Sequence, residues 1–284
     1  MVNSAVFLIA CPDQKGLVAR IANFLYSHNA NILHADQHRD ASQDLFLMRV
    51  EWDLSDFDLS MEECRAAFVP IAEALKMRWK LYDSRKRQRL AIFVSRYEHC
   101  LLDLLRRHHH AELDCDIPLI ISNHPDAEPI AAFYQIPYYH IPVSATNKTQ
   151  AFAQILALLH QERIDCVALA RYMQIIPPQL IAHYPNAIIN VHHSFLPAFS
   201  GARPYQRAFD RGVKLIGATS HYVTEELDDG PIIEQEVARI SHRDGVEDLV
   251  AKGRDLEQLV LARAIRWHLE HRILVYANKT VVFD

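Results

Sequence analysis

Two short segments of this chain gather side chains able to polarise a carbonyl and move a proton. The first is Asn190-Val191-His192-His193-Ser194. Asn190 and His192 are two residues apart, so on extended chain both face one side. An amide donor beside an imidazole suits an acyl-type transition state, in which negative charge grows on a carbonyl oxygen. The second is Thr224-Glu225-Glu226-Leu227-Asp228-Asp229-Gly230-Pro231, with acids at 225, 226, 228 and 229. Asp228, just before Asp229-Gly230-Pro231, is expected in a turn. A carboxylate held near an imidazole can orient it, raise its pKa and accept a proton from an attacking water. Taken singly, Asn-x-His at a strand end reads as a structural polar pair, and acids before Gly-Pro read as a solvated loop. His192, His193, His221 and Asp228 also have the donor chemistry of metal ligands. No H-E-x-x-H motif or close Cys/His spacing supports that use, and no metal is expected.

Both segments leave apolar runs, 187–191 and 215–220, that read as strands. Similar runs at 90–95, 117–122, 138–141 and 166–170 alternate with helical patterns at 101–107, 127–134 and 149–161. Strands apolar throughout and separated by helices predict an α/β fold with a mostly parallel, doubly wound sheet. A long helix at 246–270 and an alternating segment at 273–283 follow. Ligands of such sheets bind at the carboxyl ends of the strands, where the strand order reverses. Ahead of this unit, the pattern gives strands at 5–10, 32–37, 45–52 and 78–82 with helices from 17 and at 61–75. That βαββαβ order predicts a ferredoxin-like domain. The polar stretch 84–89 has no apolar position for a core, so the expected division is 1–83, a linker at 84–89, and 90–284.

The chain has 284 residues, 50% of them hydrophobic, and a formal net charge of -5. No whole-protein basic field points to nucleic acid, and Arg85-Lys86-Arg87 reads as solvated loop. Cysteines stand at 11, 64, 100, 115 and 166, with no C-x-x-C pair. An odd, unpaired set fits a reducing compartment, and the cytoplasm is expected. The apolar opening at 5–11 is too short to span a membrane and lacks the basic flank of a signal peptide.

Asn190-Val191-His192-His193-Ser194-Phe195-Leu196-Pro197-Ala198-Phe199-x-Gly201, followed by His221-Tyr222-Val223-x-x-x-Leu227-Asp228-x-Gly230-Pro231-Ile232-Ile233-x-Gln235, resembles the folate-dependent formyltransferase fold. His99-Cys100-Leu101-x-Asp103-Leu104-Leu105, Ser122-Asn123-His124, Leu169-Ala170-Arg171-Tyr172-Met173-Gln174 and Gly212-Val213-Lys214-x-Ile216-Gly217-Ala218-Thr219 look more closely like the formyltetrahydrofolate deformylases. The resemblance runs nearly end to end, with an ACT-like domain at the N-terminus. It implies hydrolysis of 10-formyltetrahydrofolate to tetrahydrofolate and formate, supplying formate for purine synthesis and balancing one-carbon pools. It further implies a catalytic set at Asn190, His192 and Asp228, with no metal and no cofactor beyond the folate substrate. The pterin would lie against backbone of two loops, which match Met173, Gln174 and Ile176, and Val223, Thr224 and Glu225 up to Asp228.

One departure from the fold's amine-using relatives is legible. Glycinamide ribonucleotide formyltransferases cradle a substrate phosphate on a Gly-rich loop after the first strand. Here that place reads Ser95-Arg96-Tyr97-Glu98-His99-Cys100, without glycine and with an acid. A phosphate nest needs small residues, and an acid repels phosphate, so water is the expected acceptor. Transfer to some other amine, or a regulatory binding role, remain as competing functions. In ACT-like domains resembling residues 11–40, an amino-acid effector sits where a strand-to-helix loop meets a partner subunit. The matching positions are Asp13, Gly16 and Asn31, and a homo-oligomer is expected. On the residues alone, Asp13 could instead cap the helix, Gly16 permit the turn, and Asn31 take a left-handed conformation.

Overall fold

The computed structural model describes residues 3–197 and 204–284, so Ala198, Phe199 and Gly201 of the motif above lie outside the described residues. The chain divides into two units. The first holds residues 1–87, 270–274 and 281–284, and the second holds 88–269 and 275–280.

The first unit runs β1 (Ser4–Pro12), α1 (Leu17–Tyr26), β2 (Asn31–Asp40), β3 (Leu45–Asp53), α2 (Met61–Ala74) and β4 (Arg78–Asp83). The sheet order is β2-β3-β1-β4, antiparallel throughout. One face buries an aromatic core in which Phe7 stacks on Phe68 at 4.4 Å and packs against Trp52 at 4.9 Å. Helix α2 begins with a reciprocal capping box between Ser60 and Glu63, two orphan backbone donors being satisfied together.

Four expectations change here. Helix α1 has no side-chain cap. It starts from Gly16 in the left-handed region (φ 86), while Asp13 pairs with Arg39 instead. The left-handed residue after α1 is Asn29 (φ 59), and Asn31 already belongs to β2, opposite Asp53. The polar stretch taken as a linker is shorter than 84–89, because the next strand starts at Gln88. Arg89 at its end has fixed partners: its backbone N–H donates to the Asp165 carboxylate at 2.8 Å, and its guanidinium donates to the Glu162 carbonyl. The turn before it is pinned too, with Ser84 and Ser4 exchanging hydrogen bonds of 2.8 and 2.9 Å. The C-terminal pieces 270–274 and 281–284, expected in the second domain, cluster with the first unit. There Arg49, buried, donates to the carbonyls of His271 and Glu270, and Tyr82 stacks on His271.

The second unit opens with β5 (Gln88–Val94), α3 (His99–His109), β6 (Cys115–Ser122), α4 (Glu128–Phe133), β7 (Tyr138–His140) and α5 (Lys148–Gln161). It continues with β8 (Cys166–Ala170), α6 (Pro178–His183), β9 (Ile188–His192), α7 (Pro204–Arg211), β10 (Leu215–Tyr222), β11 (Ile232–Arg239) and α8 (Val246–Leu269). A short hairpin of β12 (Ile273–Tyr276) and β13 (Lys279–Val282) closes the chain. The sheet order is β11-β10-β9-β8-β5-β6-β7. Strands β5 to β9 pair in parallel, and β10 is antiparallel to both neighbours. The order reverses between β5 and β8, so the carboxyl ends of β5, β8 and β9 share one edge of the sheet. Helix α5 covers one face over Phe93, Ile121 and Leu169, and α8 packs on β9, β10 and β11 and against α3 and α7.

Candidate active site

Strand β9 ends by presenting Asn190 and His192 on the same side, as the two-residue period requires. The antiparallel ladder sets His221 opposite Asn190 and Thr219 opposite His192. The pairing between β10 and β11 shifts register between Ser220 and His221, a bulge that re-aims His221 beside the strand end. The turn that follows brings in Asp228, whose φ of 58 is strained for a non-glycine residue. Gly230 makes that turn possible, because a Cβ there would lie 1.7 Å from the Tyr222 carbonyl oxygen.

The result is one hydrogen-bonded constellation. His192 Nδ1 lies 3.2 Å from Asp228 Oδ2, and His221 Nε2 lies 3.8 Å from Asp228 Oδ1. His221 Nδ1 donates to the Tyr222 carbonyl at 2.9 Å, so its Nε2 carries the lone pair that accepts from Asn190 Nδ2 at 3.2 Å. Burial lowers the His221 pKa and keeps this ring neutral. The Asp228 carboxyl is held below its ordinary range by the hydrogen bond from His192, against burial. His192 is only 7% exposed, and its Nε2 has no hydrogen-bond partner among the described residues. A buried nitrogen without a partner, backed by a carboxylate on the opposite nitrogen, is poised to act on a bound group.

The loop after β9 is fixed by two residues that the sequence motif contained without a role. Thr219 donates to the Ser194 carbonyl at 2.8 Å and accepts from the Leu196 N–H at 3.1 Å. Gln235 donates to Leu196 O and Thr219 Oγ1 at 3.1 and 3.0 Å. His193 packs edge-on against His192, with ring centroids 5.0 Å apart, and burial pushes its pKa down to about 4.

The expected substrate loops divide by exposure. Met173, Ile175, Leu227 and Phe195 are exposed apolar side chains, Phe195 three residues after the end of β9. Ile176 belongs instead to the hydrophobic core, so its side chain is not offered to a ligand. Gln174 and Thr224 are half-buried and Glu225 is exposed. Two backbone donors in these loops are already engaged: Met173 N–H with Ser95 Oγ at 3.0 Å, and Val223 N–H with Ile188 O at 2.9 Å. In the first unit, Asp13 and Gly16 lie in the β1–α1 turn, where Asp13 meets Arg39 near the end of β2. Asn31 begins that strand, and at ~3.3 Å per residue the separation is roughly 26 Å. These three positions therefore do not converge within one chain.

A further polar cluster lies in the second unit. Glu257, on α8, is only 1% exposed. It meets His99 Nε2 at 2.7 Å, accepts from the Tyr205 hydroxyl at 2.7 Å and faces Arg171 at 3.5 Å. His99, Cys100 and Glu257 are near enough to share a cation. Burial holds the Cys100 thiol protonated, however, and the carboxylate is already committed to three donors, one of them a guanidinium. That donor set does not suit a metal.

Family comparison agrees with this geometry. Residues 88–265 match the formyl transferase model and residues 5–62 the ACT domain model. A formyltetrahydrofolate deformylase of Synechocystis sp. is 56% identical over 99% of this chain and 98% of its own. That of Bacillus subtilis is 45% identical over 98% and 93%. A solved deformylase from Pseudomonas syringae superposes with a TM-score of 0.98 at 52% identity, covering 100% of this chain and 95% of that one. A glycinamide ribonucleotide transformylase from Symbiobacterium toebii gives 0.67 at 28% identity over 72% of this chain. The chain belongs to the formyltetrahydrofolate deformylase family.

Proposed function

We infer that this chain hydrolyses 10-formyltetrahydrofolate to tetrahydrofolate and formate, with Asn190, His192 and Asp228 as its catalytic residues. The observation that carries the role assignment is the buried His192 Nε2, without a partner among the described residues and backed on Nδ1 by Asp228 at 3.2 Å. Water adds to the formyl carbon, and the carbonyl oxygen becomes an oxyanion. Asn190 has one amide N–H turned to His221 and the other left for that oxygen. His192, protonated in the transition state, donates from Nε2 to the same oxyanion. Asp228 holds the imidazole through Nδ1, takes the proton of the attacking water and passes it to the folate nitrogen. The carbon–nitrogen bond then breaks and formate leaves.

Met173, Gln174, Val223, Thr224 and Glu225 line the folate, with Met173 and Leu227 supplying apolar surface for the pterin and Ile176 supporting from the core. Since the Met173 and Val223 N–H groups are engaged, the pterin's donors and acceptors meet the remaining backbone groups of the two loops. The reaction needs no metal or further cofactor, because the oxyanion is met by an amide and an imidazolium. The ACT unit takes an amino-acid effector at the Asp13–Gly16 turn. Asn31 would complete that site only from a second copy, which makes the working form a homo-oligomer. Five free, buried cysteines and the absence of any membrane-length apolar helix among the described residues support a cytoplasmic protein.

The test is incubation of purified protein with 10-formyltetrahydrofolate, with and without glycinamide as an amine acceptor. Formate release at the same rate in both supports hydrolysis. Formylated amine as the main product would replace it with a transferase.

A further inference from the structure

Arg171 closes the end of β8 and stands immediately before the loop that carries Met173 and Gln174. Its φ of 61 puts a long side chain in the left-handed region, a conformation that must be held by its surroundings. Three contacts hold it. Its backbone N–H bonds Leu169 O at 3.0 Å, its guanidinium lies 5.0 Å over the Tyr97 ring, and it faces Glu257 Oε1 at 3.5 Å. Arg171 is 9% exposed, so without Glu257 its charge would be buried beside a neutral ring.

Glu257 is itself placed with care. Its Oε2 meets His99 at 2.7 Å, and Gln258, next on α8, donates to the His99 carbonyl at 3.0 Å. Its Oε1 accepts from Tyr205, which fits only because α8 carries Gly253 one turn earlier. A Cβ at that position would lie 2.1 Å from the Tyr205 hydroxyl oxygen. Helix α8 thus presents one carboxylate to the first residue of α3, the β8 exit and α7 together. Downstream of Arg171 the chain is tied again, by Met173 N–H to Ser95 Oγ, whose hydroxyl donates to Asn123 Oδ1 at 2.6 Å.

We propose that Glu257 is a positioning residue for substrate binding: through Arg171 it holds the left-handed turn that aims the Met173–Gln174 loop at the folate. The proposal rests on the reading of that loop as a folate contact. Glu257 reaches none of the groups assigned to the chemistry, so its removal acts on binding and leaves turnover in place.

The experiment is steady-state hydrolysis of 10-formyltetrahydrofolate by Glu257→Gln, Arg171→Ala, Arg171→Gly and Glu257→Gln/Arg171→Gly. Glu257→Gln and Arg171→Ala should each raise KM about tenfold with kcat within about threefold of the parent. Arg171→Gly, and the double variant with it, should return KM to within about threefold of the parent, because glycine takes φ near 60° without an anchor. A buried carboxylate that mattered only for general stability would not give rescue by glycine two residues before the loop. Should Glu257→Gln not fold, Tyr205→Phe removes one hydrogen bond from the carboxylate, and a raised KM at constant kcat carries the same result. A fall in kcat at constant KM overturns the proposal, as does failure of glycine to rescue. Met173→Ala separates the two readings. A raised KM there, with Glu257→Gln at parental KM, overturns only the positioning role. Parental KM in both overturns the folate loop as well.

Discussion

Two buried polar clusters of the second unit differ in whether the group at their centre, a carboxylate in one and an imidazole in the other, has its valences filled. Around Glu257 both carboxylate oxygens are engaged, by His99 and Tyr205, with Arg171 alongside. Around His192 the ring is held through Nδ1 by Asp228, while its Nε2 has no partner among the described residues. A filled network rigidifies what it touches, whereas an open one stores an interaction for something that binds. On this comparison, chemistry belongs to the β9–β10 cluster and loop geometry to the α8 cluster.

The strongest way to break the comparison is to delete members of the open cluster. Asn190→Ala or His192→Ala should lower kcat for formate release roughly a hundredfold to a thousandfold, the usual cost of an oxyanion donor. Asp228→Asn keeps the shape but removes the base, and should be comparably severe. Substitutions in the filled cluster should move KM instead. If His193→Ala abolished turnover while His192→Ala left it intact, the open valence would have been assigned to the wrong ring.

A smaller effect tests whether the open cluster depends on its turn. Gly230→Ala sets a methyl 1.7 Å from the Tyr222 carbonyl oxygen and 3.3 Å from His221 Nδ1, so residues 228–230 must move away. We expect kcat to fall about tenfold and thermal unfolding to report a loss of about 1–3 kcal/mol, typical of overpacking. Unchanged kcat would mean that Asp228 can reach His192 from more than one turn geometry.

The same contrast explains what the sequence could disclose. Asn190 and His192 are two apart on one strand, and Asp228 precedes Gly-Pro, so local period and turn chemistry bring them into view. Family resemblance then supplied their roles. Glu257 lies on an amphipathic helix, where an acid reads as solvent face. It is buried because His99, Arg171 and Tyr205 converge from elements far apart in the chain, which no local pattern encodes. Strand β11 escapes the pattern for a related reason: as the sheet's last strand it carries the half-buried polar run Glu234–Glu236 between apolar residues, and so looks like loop. Helix α6 has only six residues behind Pro-Pro, too few to show a period. Asp13 does not cap α1 and Asn31 is not left-handed, because an ion pair and a strand start took those residues first.

A pH measurement sharpens the contrast next. Burial holds His193 at about 4, against 6.5 when unperturbed, and lowers His221 as well. Between those values the unfolded chain binds protons that the folded chain refuses, so stability rises with pH across the window. The contribution is complete above about 6.5 and is lost as pH falls toward 4, worth up to roughly 3 kcal/mol for His193. His193→Phe should flatten that slope in denaturant titrations at pH 4.5 and 7. An unchanged slope would place the titrating group elsewhere.

The smallest effect concerns a polar pair that is neither buried nor open. Asp13 and Arg39 meet at the surface of the ACT unit, with side chains 25% and 56% exposed. Water screens such pairs and competes for both partners, so they add little to folding. Arg39→Ala should therefore shift Tm by no more than about two degrees. Its value lies in what Asp13 does when Arg39 is gone. An effector's ammonium group and the Arg39 guanidinium would compete for the same carboxylate, so Arg39→Ala should tighten binding of the amino acid that the parent recognises. Asp13→Asn should abolish that binding. Calorimetry of both variants and the parent against the common amino acids reads this directly. If neither substitution changes the heat of binding, Asp13 is a surface pair and nothing more, and any effector site on this unit lies away from the β1–α1 turn.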